Sequence, residues 1–165
     1  MKYKAKGKKE PEVNESFEPY LKDIRKTHNL KKELSLQDFF NNRMLVIRSI
    51  QKGIPYSLFQ RIKEVTPFND KEWADFLNIS VKSLQRYSSQ KEYRFKPIHS
   101  EKILELAEIT NLGREVFDSI EQFHLWLNTP SFALGNMKPV ELLKNSYGKE
   151  MVMDELNRID HGIFA

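Results

Sequence analysis

From Leu36 onward, apolar residues recur at three- and four-residue steps, the spacing of helices with one face turned inward. Phe39, Phe40, Met44, Ile47 and Ile50 make the first such face, and Gly53 and Pro55 stop it. Leu58, Phe59, Ile62 and Val65 make the next, which ends at Thr66–Pro67 because the residue before a proline avoids helical angles. Asn69 or Asp70 starts a short helix to Leu77, and Ser80 caps another to about Ser88. Residues 89–98 read as a loop or short extended wing. His99 or Ser100 opens a helix carrying Ile103, Leu104, Ala107 and Ile109, and a longer one is predicted over 113–128 with Val116, Phe117, Ile120, Phe123 and Leu127 inside. Pro139 suits the first position of a short helix ending near Asn145. Gly148 is placed just before a last helix, in which Met151, Val152, Leu156 and Ile159 fall at helical steps, and Gly162 closes it as a left-handed cap. No segment alternates for long like a half-buried strand, so the predicted class is all-α.

Before Leu36 the pattern weakens. Residues 1–35 hold two prolines among many Lys and Glu, and read as a basic, partly disordered tail with one short helix around Tyr20–Lys26. The predicted organisation is a tail over 1–35, a helix-turn-helix part over 36–98 and a small helical domain over 99–165.

Charge follows the same division. The chain of 165 residues has net charge +4, yet the first ten residues alone carry +4 and residues 99–165 carry −5. A basic front and an acidic back suggest two partners of opposite character, nucleic acid being the candidate for the front. No cysteine occurs, which excludes a disulfide scaffold, a thiolate metal site and a Cys nucleophile, and fits a reducing, cytoplasmic setting. No apolar run is long enough to span a membrane, and the N-terminal lysines are not followed by the apolar core of a secretory signal.

The sharpest local motif lies between Asp70 and Ser89. A helix-turn-helix needs apolar residues at fixed places and a small residue where its helices touch. Trp73, Leu77, Ile79, Leu84 and Tyr87 supply the first, and Ala74 the second. Asn78, which tolerates left-handed angles, falls at the tight turn. The second helix would enter a DNA major groove with Ser80, Val81, Lys82, Ser83, Gln85 and Arg86 as the candidate contacts. Arg forks onto guanine, Gln pairs with adenine, and Ser or Lys holds phosphate. Lys91, Arg94 and Lys96 follow and could meet the DNA backbone. A packed helix pair with a polar outside explains the same residues without DNA.

The last third is less generic. Trp126-Leu127-Asn128-Thr129-Pro130, Ala133-Leu134-Gly135, Lys138-Pro139-Val140-Glu141-Leu142-Leu143, Tyr147-Gly148 and Leu156-Asn157-Arg158-Ile159-Asp160-His161-Gly162 follow one another in order. This string resembles the toxin-binding domain of the Xre/MbcA/ParS-type antitoxins, with its W-L-x-x-P, A-L-x-x-x-x-P-x-x-L-L and L-x-x-I-x-x-G elements. The helix-turn-helix upstream is similar to that family's as well, so the resemblance covers about residues 36–165. It implies an all-helical type II antitoxin whose partner is a RES-domain toxin, a class that degrades NAD. It further implies neutralisation by binding and repression of a shared operon.

Most of the signature residues read physically as scaffold. Trp126, Leu127, Leu134, Leu142, Leu143, Val152, Leu156 and Ile159 form an apolar face, and Pro130, Gly135, Pro139 and Gly148 shape turns and helix starts. The candidates for direct toxin contact are therefore the polar and terminal residues Lys138, Asn157, Arg158, His161, Ile163 and Phe164. The apolar end, Ile163 to Ala165, is expected to reach into or near the toxin's active-site cleft, or else to fold back on its own helix.

An enzyme reading does poorly. His28, His99, His124 and His161 are scattered without metal-ligand spacing, Glu115, Asp118 and Glu121 read as a solvated acidic face, and no Gly-rich phosphate loop exists. No catalytic residue, metal or cofactor is predicted. A stand-alone transcriptional regulator with a C-terminal ligand or dimerisation domain is the competing function, and a protein-only adaptor the third. Double-stranded operator DNA implies a homodimer, because two half-sites call for two recognition helices. The apolar stretches 36–52 and 113–128 could supply its surface.

Overall fold

A computed structural model describes residues 12–162. Its elements are α1 (Val13–Thr27), α2 (Leu36–Asn41), α3 (Arg43–Lys52), α4 (Tyr56–Val65), α5 (Asp70–Phe76), α6 (Val81–Ser88), α7 (Pro97–Val116), α8 (Ile120–Leu127), a 3₁₀ turn (Phe132–Leu134), α9 (Pro139–Leu142) and α10 (Ser146–Asp160). Among the described residues the only extended pairings are isolated bridges between Pro55 and Arg94 and between Ser131 and Met137. The class is all-α, as the periodicity predicts.

The tail reading is corrected over residues 13–27. Val13, Phe17, Leu21 and Ile24 recur at helical steps and are all buried, so α1 runs well beyond the short helix expected around Tyr20–Lys26. Phe17 packs against Phe39 and Phe40 of α2 at ring separations of 6.1 and 5.9 Å. Pro19 sits inside α1 on its exposed side. It removes one backbone hydrogen bond, a loss that the buried opposite face offsets. The Lys-rich residues 2–9 lie outside the described residues.

The predicted continuous helix over 36–52 is two helices. Ser35 and Asp38 close a capping box on α2, and those hydrogen bonds from Ser35 hold the Asp38 carboxyl below its usual range. Asn42 then captures the Leu45 N–H at 3.1 Å and starts α3 afresh. The restart shifts the phase, so Leu45 and Ser49 turn inward. Met44 and Ile47, expected inside, are 57% and 42% exposed.

Two glycines mark close approaches rather than helix ends. The expected start of a helix at Gly113 is corrected: α7 passes through it and stops at Val116. A Cβ on Gly113 would strike the Phe123 ring, so the glycine is the notch that lets α8 fold back on α7. Gly148 lies within the first turn of α10, not ahead of it, donating its N–H to Asn145 Oδ1 at 2.9 Å. A Cβ there would run into the Leu142 carbonyl. Gly162, with φ +68°, is the left-handed residue after α10.

The buried residues form one continuous core. α7 is its spine, packing against α1, α3, α8 and α10. Because Phe17 is fully buried in that core, Phe17→Ala is expected to cost about 3–5 kcal/mol. Urea unfolding should show this as a lower midpoint at unchanged slope; a shift within error would return α1 to the status of an appendage.

Candidate functional site

The site begins with how α5 and α6 are held. Asn69 accepts from Glu72 N–H at 2.9 Å while Glu72 accepts from Asn69 N–H at 2.8 Å, fixing the first turn of α5. Trp73 is fully buried, edge-on to Phe59 and Phe68. Ala74, Leu77 and Leu84 are buried with it, and Ile79 and Tyr87 pack half-buried against the same core. The turn falls at Asn78, φ +52°, and the Ile79 N–H returns to the Ala74 carbonyl at 3.0 Å. The helix-turn-helix read from the sequence is therefore formed.

Ser80 caps α6 by accepting the Ser83 N–H at 3.0 Å. Its hydroxyl donates to Ser83 Oγ, also at 3.0 Å, which leaves the Ser83 proton free to donate outward. Lys82, Gln85 and Arg86 are exposed, and Val81 and Ser83 half-buried at the edge of the same face. The Arg86 guanidinium lies 5.7 Å from the Tyr87 ring centre, within cation–π range. The six residues predicted to meet DNA thus share one short helix and its cap.

A wing braces that helix. Tyr93 stacks on Tyr87 at 4.0 Å, and burial beside the Tyr87 hydroxyl pushes its phenol well above the ordinary value. The Tyr56 N–H donates to the Tyr93 carbonyl and the Phe95 N–H to the Ile54 carbonyl, each at 2.9 Å. Arg94, expected to face DNA, donates to the Gly53 carbonyl at 2.8 Å, so part of its guanidinium is committed to the fold. Lys91 and Lys96 are exposed. Beneath the wing, His99 lies edge-on to Phe95 at 6.4 Å; burial, and then the Lys96 charge, lower its pKa.

The partner candidates occupy the other end of the chain. Lys138 is exposed at the N-cap of α9. Asn157 is exposed on α10, and its backbone carbonyl holds His161 through the ring Nδ1 at 2.6 Å. Arg158 is half-buried and paired with Glu155 at 3.2 Å, which makes it less available than its charge suggests. Ile163 and Phe164 lie outside the described residues. Leu127, Leu134, Leu142, Leu143, Val152 and Leu156 of the predicted scaffold face are buried, while Trp126 and Ile159 of that face are half-buried.

Several exposed apolar side chains were not foreseen. Leu125 is 69% exposed, and Phe132 and Tyr147 are each 84% exposed. Met151, expected on the inner face of the last helix, is 46% exposed one turn after Tyr147, on the side of α10 away from Val152 and Leu156. Helical phase fixed by Val152 and Leu156 carries this signal, once Met151 is left out of the inner set. Among the described residues, no group of three or more His, Asp and Glu could hold a metal, and no helix is long and apolar enough to cross a membrane.

Residues 45–108 match the antitoxin Xre-like helix-turn-helix domain, and residues 112–162 match the antitoxin Xre/MbcA/ParS C-terminal toxin-binding domain. The two matches meet inside α7. Antitoxin Xre of Yersinia enterocolitica is 26% identical over 141 residues, spanning 85% of this chain and 93% of that protein. A Prs ADP-ribosylating antitoxin of Sphingobium sp. is 26% identical over 125 residues, 70% of this chain and 78% of that one. A chain of the crystal structure of the M. tuberculosis MbcT-MbcA toxin-antitoxin complex shares the fold, with TM-score 0.53 and 20% identity over 65% of this chain and 94% of its own length.

The half-buried His99 makes stability depend on pH. Its ordinary value is 6.5 and its folded value lies lower, so as pH falls the unfolded chain takes up the proton first. The stability that neutral His99 contributes is complete above that ordinary value and is lost as pH falls through and below it. Thermal melts between about pH 7.5 and pH 5.5 should therefore show a steeper loss for the natural chain than for His99→Gln; parallel curves would refute the assignment.

Proposed function

The chain belongs to the Xre/MbcA/ParS antitoxin family, and from that premise we propose that it is the cytoplasmic antitoxin of a type II pair which neutralises a RES-domain, NAD-degrading toxin and, as a homodimer, represses its own operon. The observation that carries the proposal is one chain holding a capped, wing-braced recognition helix and a toxin-binding domain on a shared helix, α7.

On the DNA side, α6 enters the major groove. Gln85 and Arg86 face base edges, while Ser80, Lys82 and Ser83 anchor phosphate and Val81 makes apolar contact at the groove edge. Lys91 and Lys96 extend the cationic surface along the backbone. On the toxin side, the buried signature residues set the shape of the 112–162 domain, and the surface does the recognising. Lys138, Asn157, Arg158, His161, Ile163 and Phe164 are its contacts, and Phe132, Tyr147 and Met151 add exposed apolar surface to the same domain. The apolar C-terminus reaches the toxin's active-site cleft and denies it to NAD.

Co-expression with the adjacent open reading frame tests the whole reading: growth should be rescued and a complex isolated. A salt-sensitive DNA shift without any toxin complex would favour the stand-alone regulator instead. Arg86→Ala should weaken operator binding by about 1–3 kcal/mol in a gel-shift titration and relax preference at one base position. Removing Ile163 to Ala165 should loosen toxin neutralisation while leaving that titration unchanged, since burial of a Phe164-sized side chain contributes about 1.5–3 kcal/mol. Unaltered inhibition would remove the terminus from the contact surface.

A further inference from the structure

A groove of about 590 Å³ runs between α3, α7 and α10. Its floor is apolar, built from Phe40, Val46, Ile50, Leu104 and Met153. Its walls are opposite in charge. On one side α3, which holds no acid, brings Arg43 to the lining, while Arg48 and Lys52 lie on the same helix outside that lining. On the other stand Glu101, Glu150 and Asp154, all exposed, with no hydrogen bond or ion pair to any described residue. The remaining carboxylates of that wall are already neutralised, Glu105 by Lys102 and Glu108 by Lys149, each at 2.6 Å. Arg43 and Arg48 are likewise exposed and unpaired. Between the walls, Ile47 lines the groove and is 42% exposed, and Met44 beside it on α3 is 57% exposed.

Within one protomer these unpaired charges stay apart across an apolar trough, so the occupant must bring cations to one wall and an apolar ridge to the floor. DNA is repelled by the acidic wall. A uniformly basic or acidic segment complements one wall only. The outer face of α3 itself has the required pattern: Arg43 and Arg48 flank Met44 and Ile47. An isologous contact needs a patch that is complementary to itself, and this one is cationic on one half, anionic on the other and apolar at the boundary.

We infer that a second copy of this chain occupies the groove, its α3 setting Arg43 and Arg48 against Glu150 and Asp154 and its Ile47 on the apolar floor, with the reciprocal contact made across the two-fold axis. The contact identifies the surface of the homodimer in the proposed function and requires neither toxin nor DNA to form; Asn157, which also lines the groove, is shared with the proposed toxin contacts and is left unaltered in every variant.

Sedimentation of the full chain alone tests it, with toxin pull-down and operator gel shift run in parallel on every variant. The natural chain should sediment as a dimer, and Ile47→Asp as a monomer with unchanged circular dichroism. Arg43→Glu with Arg48→Glu, on exposed side chains that folding does not require, should raise the dimer dissociation constant at least about tenfold. Adding Glu150→Lys and Asp154→Lys to that same chain should restore dimerisation. Loss of the dimer with toxin capture intact supports this inference and leaves the proposed function standing. A monomeric natural chain, a dimer indifferent to Ile47→Asp, or a charge swap that fails to restore association would each overturn it. A monomer that loses toxin capture on Ile47→Asp would assign the groove to the toxin, and so overturn it as well.

Discussion

The burial of α7 governs how the rest of the chain is arranged. Ile103, Leu104, Leu106, Ala107, Ile109 and Thr110 are all buried, and together they cover more than half of the helix circumference. A helix buried over so wide an arc needs neighbours on both sides. α1, α3, α8 and α10 supply them. Polar contacts then fix the ends. Buried Ser100 accepts the Ile54 N–H at 2.9 Å and donates to the Phe95 carbonyl at 3.2 Å, tying the wing to the start of α7. Further along, Lys102 bonds both Glu105 and the Leu143 carbonyl, and Glu105 also accepts from Ser146 at 2.8 Å. Lys102 and Glu105 are only 12% exposed, and their charges are tolerated there because each finds more than one partner. The DNA-binding and toxin-binding domains are thus two ends of one packed body.

That arrangement explains which parts of the fold were legible in the sequence. The helix-turn-helix was readable because its logic is local. Trp73, Ala74, Leu77 and Leu84 bury against one another, Asn78 makes the turn and Ser80 the cap, all within twenty residues. The scaffold of the last third was readable for the same reason. α1 was not, because Pro19 and a dense run of charge masked the Val13–Phe17–Leu21–Ile24 stripe. Only packing against Phe39 and Phe40 makes that stripe worth a helix with an interior proline.

The other misreadings share a cause. Gly113 and Gly148 look like helix punctuation, yet each is small because of a neighbour that local pattern does not supply, the Phe123 ring and the Leu142 carbonyl. Met44 and Ile47 fit an unbroken helical period from Leu36, but Asn42 resets the phase by taking the Leu45 N–H. One asparagine side chain thereby moves two large apolar residues from core to surface. Of the candidate site, the exposed face of α6 proposed to meet DNA was legible as a helix face, whereas the exposed Phe132, Tyr147 and Met151 were hidden because apolar residues are assigned to the core by default.

The burial of the signature also bears on what the family resemblance means. Leu127, Leu143 and Leu156 are fully buried, and Leu134 and Leu142 nearly so. Residues out of reach of solvent are out of reach of a toxin, so they determine the shape of the domain and not its choice of partner. On the proposed function, discrimination between one toxin and another falls to exposed side chains that the signature does not constrain, such as Phe132, Lys138, Tyr147, Met151 and Asn157. Two antitoxins can therefore carry the same buried pattern and bind unrelated toxin surfaces, since specificity is a difference of affinities set at the contact and not in the core.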